Sequence, residues 1–131
     1  MAPWRHVIGL AFPWAAMLFL VGVMVQAGLA GAFVFAQTSI RYHVGFVHVI
    51  EFIPLVMLAC AIIGRKGPLA IWGSALLIAL VAAQYALAKA SPNLVSALHV
   101  VNALVIFGVA LILVERHPPW RRMRRRAARK A

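Results

Sequence analysis

Four apolar runs, at roughly 8–36, 40–64, 69–89 and 92–115, take up almost the whole chain. Each is near or above the ~20 residues that cross the hydrocarbon core of a bilayer. The connections between them are too short to hold a separate soluble domain. With 65% hydrophobic residues and only two acids, Glu51 and Glu115, in 131 positions, the chain lacks the charged surface of a soluble domain. The expected fold is all-α: an integral membrane four-helix bundle over residues 1–117, followed by a basic tail at 118–131. All chemistry must then come from the helices and their ends.

The first run has Arg5 ahead of it and small residues at 30–32, a weak likeness to a cleaved leader. Its apolar part is about twice the usual 7–15 residues of such a leader, so it reads as a retained span. Lys and Arg in short connections set orientation. Arg5, Arg65, Lys66 and the tail from Arg116 fall on one side, with only Arg41 and Lys89 on the other. Both termini are therefore expected in the cytoplasm. Most of the +11 net charge lies in RHPPWRRMRRRAARKA at the end of the chain. A basic tail attached directly to a span is held at the lipid surface, so anionic headgroups, not nucleic acid, are its expected contacts. Trp120, after Pro118-Pro119, suits an interfacial anchor.

Cys60 is the single cysteine, which excludes an internal disulfide and a cysteine-rich metal site from one chain. Deep in the second span, it reads as a small core residue.

Several local signals position helix ends. Ser91-Pro92 is an N-cap followed by proline at the first helical position. Thr38 or Ser39 serves the second span in the same way. The turn Gly64-Arg65-Lys66-Gly67-Pro68 offers glycine for a C-cap. Pro13 and Pro54 lie inside spans and predict kinks, Pro54 by freeing the carbonyl of Ile50.

An internal duplication is visible in the polar residues. HVIEFIPLVMLACAIIGR at 48–65 aligns with HVVNALVIFGVALILVER at 99–116, and VQAGLA at 25–30 with AQYALA at 83–88. Polar residues inside spans are costly and not scattered freely, so their recurrence predicts two repeated helical hairpins. Such a parallel repeat relates the hairpins by a pseudo-two-fold axis along the membrane normal. His48 and His99 would then share a depth, about 10–14 Å below the non-cytoplasmic helix ends. Gly45 and Ser96 precede them by three positions, and Glu51 and Asn102 follow by three, on the same helix face.

Two opposed neutral imidazoles at one depth suit six-coordinate haem iron. His48 and His99 are the candidate ligands, with His43, nearer the surface, as the alternate. Gly45 and Ser96 would leave room for the flat macrocycle, and Arg41, Tyr42, His43 or Lys89 would meet its propionates. Gln26, Gln84, Glu51 and Asn102 are candidates to orient the imidazoles through their outer N–H. Electron transfer is the natural use, since two protein ligands leave no open position for substrate. The same cluster also permits a porphyrin-free metal site, a proton relay, a quinone or small-molecule site, or simple inter-helix packing in an accessory subunit. No second acid within the spans completes a di-iron carboxylate site, so the enzyme reading is the weaker one. His6 and His117 flank the spans on the cytoplasmic side.

Gln in the first span, His near the start of the second, Gln in the third, and Leu-His followed by Asn in the fourth together resemble a group of small bacterial four-span membrane proteins of unknown function. That resemblance covers nearly the whole chain and implies a bacterial inner-membrane location. More distantly, the layout is similar to one four-helix half of heme A synthase, which implies haem holding at His48, or His43, and His99. The chain has one half where that enzyme has two, and Val49 follows His48 where the enzyme's motif tends to have Arg. Haem b binding for electron transfer or redox sensing, with a redox partner or a larger complex, is the resulting expectation.

Overall fold

The computed structural model describes residues 3–89 and 94–120, with the side chains of Pro3, His6, Leu94 and Ser96 outside that description. Five helical segments follow one another: α1 (Pro3–Ala36), α2 (Ile40–Ile50), α3 (Ile53–Ile63), α4 (Pro68–Lys89) and α5 (Leu94–Arg116). They make four membrane-length spans, Val7–Ala36, Ile40–Ile63, Pro68–Lys89 and Ala97–Arg116. There is no strand among the described residues. The chain is an all-α, multi-pass membrane bundle with both ends of the described chain at one end of the molecule, called here the terminal end.

Ends are made by local chemistry. Gln37 enters the left-handed region at φ 51 and stops α1, while Thr38 N–H returns to the Ala32 carbonyl at 3.3 Å. Ser39 caps α2, its hydroxyl accepting from Arg41 N–H. At the other end of this span Lys66 N–H donates to Ala61 O at 2.9 Å and Arg65 N–H to Ile62 O at 3.2 Å. That pair of hydrogen bonds is a Schellman motif. Its left-handed residue is Arg65, at φ 48, with Gly64 as the cap before it and Gly67 also at positive φ. The Ser91-Pro92 cap lies outside the described residues, as does the tail beyond Trp120.

The second span breaks ahead of Pro54, which has no N–H to return to the Ile50 carbonyl. Glu51 and Phe52 form the joint between α2 and α3, and Leu55 N–H takes a tighter step back to Phe52 O at 3.1 Å. Pro13 causes no break, and α1 runs continuously through it.

The spans form a ring. α1 packs against α2 and α3 on one side and α5 on the other, and α4 closes the ring between α3 and α5. Spans 2 and 4 are thus diagonal. The buried core sits in the terminal half, where Phe12, Ala16, Phe19, Met57, Ala70, Ser74, Leu77, Ala110 and Leu113 are shut off from solvent. Ser74 is satisfied there by donating to Ala70 O at 2.7 Å. Cys60 belongs to this core as a free thiol. Gly9 and Gly64 allow α1 and α3 to cross closely, since a Cβ on Gly64 would lie 2.5 Å from Gly9 Cα. Beyond Gly22 in α1 and Leu77 in α4, no residue of either helix is fully buried. Gly28, Gly31 and Gly45 have open space where a Cβ would stand. The far half of the bundle is therefore packed much more loosely than the terminal half.

A duplicated clamp and an unduplicated polar cluster

In the far half the two hairpins make the same pair of hydrogen bonds. Gln26 Nε2 donates to His43 O at 2.9 Å, and His43 Nδ1 lies 3.3 Å from Gln26 O. Gln84 Nε2 donates to His99 O at 3.0 Å, and His99 Nδ1 lies 3.3 Å from Gln84 O. A carbonyl oxygen only accepts, so in each ring Nδ1 carries the proton. The lone pair of each neutral imidazole is then on Nε2. Both histidines are half-buried.

These bonds correct the alignment expected from sequence. The counterpart of His99 is His43, five residues before His48, so span 4 follows span 2 at an offset of 56 residues and span 3 follows span 1 at 58. Burial agrees with this register: Ile50, Pro54 and Met57 pair with Ile106, Ala110 and Leu113, all buried. Phe12, Ala16 and Phe19 likewise pair with Ala70, Ser74 and Leu77. The HV dipeptide occurs twice in span 2, at His43 and at His48, and the alignment expected from sequence uses the second. The signal that discriminates them is the spacing from glutamine, which is 17 residues for His43 and 15 for His99.

The copies differ at one clamp position. Asn102, almost fully buried, donates through Nδ2 to Leu80 O at 2.9 Å and to Gln84 Oε1. Its counterpart is Phe46, and Gln26 Oε1 is buried with no hydrogen-bond partner among the described residues.

His48 and Glu51 belong to a different place. His48 Nδ1 lies 3.1 Å from Glu51 Oε1, and the Tyr85 hydroxyl donates to Glu51 Oε2 while standing 3.4 Å from His48 Nδ1. The His48 and Tyr85 rings stack at 6.2 Å with 21° between planes. The His48 side chain is 58% exposed and that of Glu51 19%. This cluster bridges α2 to α4 at the helix break. Sequence reasoning passed over Tyr85, whose position next to Gln84 was the available signal.

Of the other candidates, Arg41 lies exposed in the first turn of α2 and Gly45 exposed two residues beyond His43, while the Ser96 side chain lies outside the described residues. The structure brings Gln26 to His43, Gln84 to His99 and Asn102, and Glu51 to His48. It puts His48 and His99 in separate clusters, on diagonal spans. Among the described residues no group of three or more His, Cys, Asp or Glu side chains could hold a metal ion. A bis-imidazole site needs only two.

His117, just past α5, rests its ring edge-on against Phe12 at 5.2 Å, with Nε2 buried and unpartnered among the described residues. Burial, reinforced by the positive charge of Lys66, holds its pKa below the ordinary 6.5.

Among known proteins, the profile of DUF6220, a family of unknown function, matches residues 26–91. No curated protein and no solved structure matches the chain.

Proposed function

The chain belongs to the DUF6220 family of unknown function, and from its geometry we propose that it is a membrane b-type haem protein for electron transfer or redox sensing. His43 of span 2 and His99 of span 4, in the far half of the bundle, would hold the haem iron. The observation that carries this reading is the duplicated clamp. Ligating histidines commonly commit one ring N–H to a carbonyl or carboxylate, which fixes the tautomer and aims the other nitrogen at the metal. Both rings here commit Nδ1 to the main-chain carbonyl of a glutamine, and not to its side chain as expected from sequence, and keep Nε2 as the donor atom. Pseudo-two-fold symmetry gives them one height on opposite sides of the axis.

The donor set fits the group in other respects. Gly28 and Gly45 are exposed and Gly31 half-buried, and a Cβ at any of them would meet nothing within 4 Å, so a flat group could lie against this backbone. Exposed Arg41 is at the same end for the propionates. His48 is the poorer ligand because its ring is stacked on Tyr85 and its counterpart in the repeat is Leu104, so it has no symmetric partner. When bound, haem supplies a one-electron couple whose potential follows from its ligands and apolar walls. The role is non-catalytic, and the partners are a redox protein or a larger membrane complex. By the charge rule the termini are cytoplasmic, the tail lies on anionic lipid of a bacterial inner membrane, and haem sits toward the outer face.

The test is an absorption spectrum of the protein purified from haem-replete cells, oxidised and reduced. A Soret band and a sharp reduced α-band are expected, lost in His43→Ala and His99→Ala and kept in His48→Ala. A colourless wild-type protein overturns the reading, and partners co-purifying with it in fixed ratio would make it an accessory subunit.

A further inference from the structure

The register of the duplication isolates one feature that the fold does not account for. Tyr85, His48 and Glu51 have as counterparts Ala27, Leu104 and Phe107, none of them polar in its side chain. One hairpin thus carries three hydrogen-bonding side chains at membrane depth where its copy carries apolar ones. Polar groups in spans are expensive and mark function. The clamp does not use them.

Glu51 and Tyr85 of this cluster line a laterally open groove of about 250 Å³ between the α2–α3 joint and α4, while His48 contacts both of them and does not itself line the groove. Its other walls are apolar and include Phe52, Leu55, Ile78 and Val81. The helix break places Glu51 and Phe52 on its wall. All the lining residues lie within the spans, so a ligand enters from the bilayer and carries an apolar tail. A buried cavity of ~150 Å³ accepts a benzene ring, so this groove has room for one substituted ring. At the polar end the Tyr85 hydroxyl donates to Glu51, which leaves oxygen lone pairs on both residues as acceptors, and a ligand carbonyl that displaces this bond takes over the phenol proton. That set recognises a ring carbonyl and, equally, a ring hydroxyl.

We propose that the groove between the α2–α3 break and α4 binds the head group of a membrane quinone, with Tyr85 and Glu51 as its polar contacts, His48 supporting both of them, and Phe52 and Leu55 against the ring. The site is separate from the haem clamp and stands whether or not haem is bound.

The test uses the full chain in nanodiscs and a short-chain benzoquinone as probe, measuring saturable binding above that of empty nanodiscs. Wild type binds saturably, and Tyr85→Phe and Glu51→Gln each weaken binding about tenfold, the upper end of the net worth of one hydrogen bond. Leu55→Trp leaves the polar triad intact, fills the ring space and abolishes binding, which keeps the test sound if a triad variant misfolds. Binding no greater than in empty nanodiscs, or equal in wild type and all three variants, overturns the proposal. So does full displacement by a saturated fatty acid, which would make the groove a lipid-tail site. A colourless wild type that binds quinone fails the haem reading alone, and a haem-loaded one that does not fails this one alone.

Discussion

Gln26 and Gln84 make the same bond to a histidine carbonyl, yet their side chains are not equally satisfied. Gln84 gives its Nε2 to His99 and receives Asn102 at Oε1, whereas Gln26 Oε1 is buried without a donor among the described residues. Removing a satisfied group strands its partners, while removing an unsatisfied one also removes a desolvation cost. Gln84→Leu should therefore destabilise the protein by about 1–3 kcal/mol and Gln26→Leu by clearly less, read from thermal unfolding in one detergent. Equal losses would mean that Asn102 contributes nothing to the second clamp. His117 supports a second residue-level expectation. Its folded pKa lies below the ordinary value, so between the two values the unfolded chain binds more protons and stability rises with pH. Stability is fully present above the ordinary 6.5 and is lost as pH falls through that value toward the lower folded one. Melting temperature should drop on going from neutral to mildly acidic pH, and His117→Phe should flatten that slope; an unchanged slope would place the titrating group elsewhere.

The helices themselves were legible from sequence because span length and turn chemistry are local properties. Ser39 capped as its residue type requires, and Pro54 broke its span, whereas Pro13, lacking the same N–H, did not. Less legible was the left-handed residue of the Schellman turn. Glycine was the expected occupant, but Gly64 is reserved for the crossing with Gly9, and Arg65 takes the strained conformation instead. Glycine substitutions should separate these roles. Gly64→Ala puts a Cβ against backbone and should cost about 1–3 kcal/mol, as overpacking does. Gly108→Ala meets nothing within 4 Å and should stabilise by roughly 0.5–1 kcal/mol through lower chain entropy. Unfolding temperatures of the two variants moving together would show that the α1–α3 crossing is looser than its geometry.

At the scale of the molecule, duplication was readable in the sequence but its register was not. Two HV dipeptides five residues apart offer two alignments of span 2, and apolar identities do not choose between them. The spacing from glutamine favours His43, and the contact between hairpin partners decides it, because a glutamine reaches one histidine carbonyl and not the other. The candidate site inherits that ambiguity: Gln26, Gln84, His43 and His99 were all visible, while the grouping of His48 with Tyr85 depended on knowing which spans adjoin. The register itself predicts an outcome that no other alignment does. Asn102 ties Gln84 to Leu80, and the equivalent of Leu80 is Gly22. In Phe46→Asn, the new amide should donate to Gly22 O and Gln26 Oε1, giving the orphaned acceptor its partner. The loss of Phe46 packing obscures the single variant, so the useful quantity is its coupling to Gln26. A double-mutant cycle of Phe46→Asn with Gln26→Leu should give about 1 kcal/mol of favourable interaction between the introduced amide and Gln26. Phe46→Leu with Gln26→Leu should give near zero. No coupling in the first cycle would break the equivalence of positions 46 and 102, and with it the pairing of His43 with His99 on which the haem site rests.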